Sequence, residues 1–184
     1  MSIMSRLFSS RPVAPDPMNE VARAVLARRP ETGRIALVKL VHLVQVIRYG
    51  RTAQRAFPDW FRATSMGPYN EDLSRAARSL IWQMHNGSRW TTLTPSLDAD
   101  TIAAVDEVCA AFRDASDADI GATTSQPGSA WHALWEPDPY ASKPISDPDR
   151  WKQRRRRPEE GPIIGFAEMI DEFRTLTQPA ATAA

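Results

Sequence analysis

Residues 33–50 read GRIALVKLVHLVQVIRYG, a long apolar run that contains a few spaced polar side chains. Those polar residues are Lys39, His42, Gln45 and Arg48. Because each follows the last by three positions, it lies about 60° further round a helix, and the set forms no single polar stripe. A helix of this kind fits the centre of a domain. Its valines and isoleucines would also suit a strand, but the length of the run and its final Gly50 favour a helix.

The composition is that of an ordinary soluble domain. The chain has 184 residues, 42% of them hydrophobic, which is enough for one domain with a buried core. Its formal net charge of +1 provides no overall field toward nucleic acid or an anionic membrane. The lone Cys109 excludes an internal disulfide framework, and no stretch approaches the roughly 18 apolar residues of a membrane span. We therefore expect a cytoplasmic protein without a membrane partner.

Signals before the central helix predict an arm and one short helix. Residues 1–17 contain several prolines and no periodicity, so we expect a flexible N-terminal arm. Asn19 is the predicted N-cap of a first helix that stops at Pro30, and Thr32 is the predicted N-cap of the central helix.

A rigid corner follows the central helix. The aromatic stretch FPDWFRATS, residues 57–65, predicts a brief strand. In the next four residues, MGPY, Gly67 permits a positive φ and Pro68 fixes φ near about −65°. Asn70 then caps a helix with an acidic first turn, which runs toward residue 86. The corner sets the angle at which the chain enters that helix.

The remaining segments predict short elements around the helical core. A possible strand lies at 88–94, a helix starts near Asp98 or Asp100, and Ser129 caps a short aromatic helix. Residues 136–149 form a Pro-rich connection, GPIIG at 161–165 holds a possible short strand before a last helix, and 177–184 is a loose tail. We predict a mainly α (α+β) fold over residues 18–176: a compact helical domain with a small β-hairpin or short extended strands.

The sequence contains no signature of an enzyme or a metal site. There is no glycine-rich phosphate loop, zinc spacing or nucleophile elbow. His42, His85 and His132 lie on separate predicted helices without a second ligand type at helical spacing, so we interpret them as hydrogen-bonding core or surface residues. Cys109 shares an apolar helix face and is predicted to be a buried thiol. We expect no catalytic residues, no cofactor and no metal.

Two features suggest binding instead. The segment RWKQRRRRPEEG, residues 150–161, carries clustered arginines that can hold carboxylates or phosphates. An acidic patch on a protein is the favoured partner and nucleic acid the less favoured one, while a solvated loop offset by two glutamates is the plain alternative. The chain also has 6 tryptophans, a residue frequent in cores and in interface hot spots. Trp135 and Trp151 flank the Pro-rich connection and are expected to be the most exposed.

The order of these elements resembles the Panacea domain, the SocA-like antitoxin family, from about Met18 to Leu176. The resemblance is carried by KLVHLVQVIRYG, the Gly-Pro corner before an acidic-capped helix, and DADIGATTSQPGSAWHAL at 117–134. The matching positions are Lys39, Leu40, Gly67, Pro68, Leu73, Thr124 and Trp131. The chain departs from the family pattern at Thr64, Met66, Tyr69 and Ser125, where tryptophan, tyrosine, valine and histidine are usual.

The resemblance implies an antitoxin of a bacterial toxin–antitoxin system that binds its cognate protein toxin directly. In the founding case the antitoxin is also an adaptor that delivers the toxin to a Clp-family protease. The candidate partner-binding residues are Trp60, Met66, Gly67, Pro68, Tyr69, Trp131, Trp135, Trp151, Arg154, Arg155, Arg156 and Arg157. The alternatives are a DNA-binding regulator that uses the basic segment 152–157, and an enzyme whose histidines and carboxylates converge only in three dimensions.

Overall fold

The helices and strands are given by a computed structural model that describes residues 16–86, 97–135 and 161–177. Within these ranges the helices are α1 (Pro17–Arg28), α2 (Arg34–Thr52), α3 (Glu71–His85), α4 (Ala99–Ala111), α5 (Asp117–Thr123), α6 (Ala130–Leu134) and α7 (Phe166–Thr177). The strands are β1 (Arg62–Thr64) and β2 (Gly67–Tyr69). The predicted mainly helical fold with a small hairpin is confirmed.

The helix α2 lies at the centre of the fold. It packs against α1, α3, α4, α5 and α7, and its residues are buried without interruption from Ala36 to Arg48. Its apolar side chains join those of α1, such as Val21 and Leu26, in one hydrophobic core. Burial on every side is what the apolar run predicts, because a helix with apolar residues all round is stable only when other elements cover it.

The end of α2 differs from the prediction. The helix continues past Gly50 to Thr52, and Ala53 takes the left-handed conformation with φ 53° while its N–H donates to Tyr49 O at 2.8 Å. Gly50 has a different function inside the helix: a Cβ atom there would lie 2.1 Å from Cγ of Phe173. The glycine therefore allows α7 to approach the backbone of α2.

Helix starts are predicted well except at the first two helices. Side-chain N-caps are confirmed at Asn70, Asp98 and Ser129. The predicted cap Asn19 is wrong, because α1 already begins at Pro17, a favoured first residue, and Asp16 accepts from the N–H of Met18 at 3.0 Å.

The second helix lacks the predicted threonine cap. Gly33 occupies the N-cap position of α2 without a side-chain cap, and the buried Thr32 Oγ1 has no hydrogen-bond partner among the described residues. The N–H of Gly33 instead donates to Asp117 Oδ2 at 3.1 Å. A long-range contact from the start of α5 therefore fixes the residue before α2, although the first turn of the helix has no side-chain cap.

The two strands and one further extended segment form a small layer. The strands β1 and β2 are antiparallel, with Arg62 opposite Tyr69. Ile163 bridges to Arg62 from the other side, and the N–H of Ile164 donates to Phe61 O at 2.9 Å. The short strand predicted within GPIIG is therefore present only as an isolated bridge at Ile163. The possible strand at 88–94 and the Pro-rich connection lie outside the described residues.

None of the helices in residues 16–86, 97–135 and 161–177 combines the length and apolarity needed to cross a membrane.

We expect Gly50→Ala to destabilise the protein by about 1–3 kcal/mol, because the new methyl group would overlap the Phe173 ring. The matched control is Gly121→Ala in α5, where an added Cβ would have no atom within 4 Å. That change should be neutral or should stabilise by up to about 1 kcal/mol through helix propensity. Urea unfolding followed by circular dichroism measures both variants. A Gly50→Ala protein as stable as the wild type would show that the two helices do not approach this closely.

Candidate functional site

The four polar side chains spaced by three along α2 are buried, and each is hydrogen-bonded to a different part of the chain. Because each lies about 60° further round the helix than the one before, their partners are distributed around α2. The pairs are Lys39 with Thr124 of α5, His42 with Glu172 of α7, Gln45 with Phe57, and Arg48 with Thr101 of α4. The prediction that they form no single stripe is confirmed.

The last two members of this set hold the region around the C-terminal end of α2. Gln45 Oε1 accepts from the N–H of Ala56 at 2.8 Å, which fixes the chain just after the helix. Arg48 Nε donates to Thr101 Oγ1 at 3.3 Å, and its guanidinium lies 3.4 Å from a carboxylate oxygen of Asp98. The buried charge of Arg48 is therefore both hydrogen-bonded and paired.

Lys39 lies directly beneath the Gly-Pro corner. Its Nζ donates to Thr124 Oγ1 at 3.1 Å, and a Cβ atom added to Gly67 would lie 2.3 Å from that same nitrogen. Gly67 has the expected positive φ, 92°, which favours glycine here, and a side chain at this position would also displace the Lys39 ammonium. No carboxylate among the described residues pairs with Lys39, and burial lowers the pKa of its ammonium group.

A tryptophan holds the same hairpin from the α6 side. The indole Nε1 of Trp131 donates to Thr64 O at 2.6 Å, and Trp135 stacks on Trp131 with ring centroids 5.6 Å apart. Lys39, Gly67 and Trp131 match the family pattern, and Thr64 departs from it. These four residues are far apart in sequence but meet at one hairpin. We call Lys39, Thr64, Gly67, Thr124 and Trp131 the hairpin support.

The histidines do not gather at one place. His42 is fully buried and hydrogen-bonded to Glu172 Oε2 at 3.0 Å, and the same oxygen accepts from the N–H of Ala130 at 3.2 Å. His85 and His132 are exposed on α3 and α6. Their interpretation as core or surface residues agrees with these positions. Within the described residues, no group of three or more His, Cys, Asp or Glu side chains is arranged to hold a metal ion.

Cys109 has the environment predicted for a structural thiol. The residue is 7% exposed on α4, and burial raises the pKa of its thiol to about 11. The thiolate, which is the reactive form, is therefore disfavoured at neutral pH.

A surface of aromatic and basic side chains lies on the solvent side of the small strand layer. Phe166 stacks on Tyr49 with centroids 4.5 Å apart, lies 5.0 Å from Trp60, and is itself 40% exposed. Arg62 lies directly opposite Tyr69 on one side and Ile163 on the other, so these three side chains share one face of the layer. We call this surface the outer face; it comprises Tyr49, Arg55, Trp60, Arg62, Tyr69, Ile163 and Phe166.

The predicted partner-binding residues are distributed between surface and interior. Trp60 and Tyr69 are half-buried on the outer face, and Met66 is 41% exposed at the hairpin turn. Gly67 and Pro68 are buried within the hairpin. Trp151 and Arg154, Arg155, Arg156 and Arg157 lie outside the described residues.

The most exposed tryptophan of the described residues is Trp82, at 63%, which sequence reasoning did not single out. Trp135, expected to be exposed, is half-buried because it stacks on Trp131. Phe166 begins α7 and packs on the aromatic side chains of Tyr49 and Trp60 at the surface.

No protein-family model, curated protein or solved structure compared with the chain matches it.

Because its ammonium is buried without a counter-charge, we expect Lys39→Met to leave the free energy of unfolding unchanged or to raise it at neutral pH, by up to about 2 kcal/mol. Thr124 Oγ1 keeps its bond to Ile120 O, so no buried hydroxyl is left unpaired. In contrast, Arg48→Met should lower the free energy of unfolding by about 1–2 kcal/mol, because it removes the hydrogen bond to Thr101 and the ion pair with the half-exposed Asp98. Urea unfolding near neutral pH measures the free energy of unfolding of both variants. A large decrease in that free energy in Lys39→Met would show that the buried ammonium is well compensated.

The same pair of proteins should differ in pH dependence. Because burial lowers the folded-state pKa of Lys39 below 10.5, the unfolded chain retains a proton that the native state has released. Wild-type stability, relative to Lys39→Met, should therefore rise as pH increases from the folded-state pKa toward 10.5. The raised pKa of Cys109 acts in the opposite direction above its unfolded value of 9.0, but it is common to both proteins and cancels in the difference. A difference that is independent of pH would contradict the assignment to Lys39.

Proposed function

We propose that the chain is an antitoxin of a bacterial toxin–antitoxin system, which neutralises its cognate protein toxin by direct binding. The observation that carries the proposal is the hairpin support. Lys39, in the first segment that resembles the family, donates to Thr124 in the last segment and lies beneath Gly67 of the corner. Trp131 donates a hydrogen bond to Thr64, in the strand before that corner. Because these residues all pack around one hairpin, there is a physical reason for them to occur together in a sequence. This supports the proposed likeness to the Panacea domain.

The surface chemistry supports a binding function. Exposed and half-buried side chains near the hairpin include Met66, Trp60 and Tyr69. Aromatic residues, methionine and arginine are enriched at protein interfaces, and tryptophan, tyrosine and arginine dominate hot spots. A stable complex would bury about 1,200–2,000 Å² in total.

Within this proposal the antitoxin also delivers its toxin to a Clp-family protease. Such an adaptor needs one surface for the toxin and another for the protease. The segments 1–17 and 177–184 are proposed tethers, which would raise the effective concentration of protease near the bound toxin. For a chain close to the family's founding member, the partner would be a SocB-like toxin.

Co-expression tests the antitoxin proposal directly. The open reading frame beside the gene should be toxic when expressed alone, and this chain should restore growth and co-purify with its product. If no neighbouring product is both toxic alone and rescued by this chain, the proposal is wrong. A salt-dependent shift of the gene's own promoter fragment, without any toxic neighbour, would support the DNA-binding regulator instead.

Deletion of both ends tests delivery separately from binding. We expect a chain without residues 1–15 and 178–184 to bind the toxin as well as the full chain but to slow toxin degradation in cells. The deletions retain Asp16 and Thr177, so the cap of α1 and the last residue of α7 remain. Toxin half-life in pulse-chase measurements, with toxin binding as the control, gives the answer. Equal half-lives would exclude a tethering function.

A further inference from the structure

The outer face carries two arginines that have no acidic partner among residues 16–86, 97–135 and 161–177. Arg55 Nη1 donates to Pro58 O at 2.8 Å, and Arg62 Nη1 donates to Gly161 O at 2.8 Å. Neither guanidinium forms an ion pair with a described residue, although several other arginines of the chain do. Asp59 is near enough to Arg55 to be influenced by its charge but not to pair with it. Both cations retain free N–H donors.

Each of the aromatic rings beside them has one flat face in contact with a neighbour. Tyr49 and Phe166 stack on each other with planes 18° apart. The guanidinium of Arg55 lies over the Trp60 ring, 4.9 Å from its centroid, and 5.8 Å from that of Phe166. Nucleic-acid bases bind by stacking on open ring faces. Because these ring faces are occupied and the free donors are guanidinium N–H groups, the surface is better matched to a carboxylate and an apolar side chain than to a stacked base.

We propose that the outer face binds a protein segment that presents carboxylates beside an aromatic or aliphatic side chain. The carboxylates would meet Arg55 and Arg62, whose planar groups suit bidentate pairing, and the apolar side chain would contact Ile163 and Phe166. Ile163 is 48% exposed and Phe166 40%, so the apolar contact area is open. This inference rests on the proposed function in one respect, namely that the partner is a protein.

Selection from a random peptide library tests the chemistry without a known toxin. We expect phage-displayed peptides of about a dozen residues, selected on the immobilised full chain, to be enriched in Asp or Glu next to Trp, Phe or Leu. A synthetic peptide of the recovered consensus should bind the double variant Arg55→Gln, Arg62→Gln at least about tenfold more weakly. Arg113→Gln, which changes an exposed arginine in the turn after α4, is the matched control and should bind like the wild type.

The remaining outcomes overturn the inference. It fails if no consensus is recovered, if the consensus lacks acidic residues, or if the double variant binds the peptide as well as the wild type while unfolding cooperatively at the wild-type urea concentration. The inference also fails if single-stranded oligothymidylate binds the wild-type chain and the double variant loses that binding. The outer face would then be a nucleic-acid site.

Growth rescue separates this surface from the antitoxin proposal. If the double variant still rescues cells from a neighbouring toxin, the surface is wrong and the antitoxin proposal stands. If no neighbour is toxic, the antitoxin proposal fails, and the peptide result decides the surface independently.

Discussion

The structure depends on the need to satisfy four polar side chains in one buried helix. A lysine, a histidine, a glutamine and an arginine at a spacing of three cannot all reach solvent, so each requires a partner within the protein. Those partners come from α5, α7, the segment after α2 and α4. Hydrophobic burial alone tolerates many packings, whereas a hydrogen bond is satisfied in few positions. We infer that the polar set fixes how the surrounding elements sit on α2.

The same constraint determines where a partner can bind. The hairpin is too short to be stable alone, and it is held from below by Lys39 and from the α6 side by Trp131. Its Gly-Pro corner is therefore a packing device, and the exposed side chains beside it are held on a fixed base. A pre-ordered surface loses less conformational entropy when it binds, which is why a small supported layer suits recognition.

Local signals in the sequence predicted the elements that depend on local physics. The apolar run of α2, the caps Asn70 and Ser129, and the positive φ of Gly67 need only neighbouring residues to form. Gly50 was predicted to end its helix because glycine usually does, but the approach of Phe173 gives it another purpose. That contact joins residues far apart in sequence, and no local pattern announces it.

The candidate surface was predicted only in part for the same reason. Trp60, Met66 and Tyr69 could be chosen by residue type, since aromatic side chains and methionine favour interfaces. Ile163 joins them through its bridge to Arg62, and Phe166 through ring contacts with Tyr49 and Trp60, while Trp135 is partly withdrawn from solvent by stacking on Trp131. The measurement that tests the central claim is amide hydrogen exchange in Arg48→Met, which removes the bond from α2 to Thr101 of α4. We predict that the amides of α4 exchange at least about tenfold faster, on the order of one lost hydrogen bond, while those of α7 are unchanged. Unchanged exchange in α4 would contradict the claim.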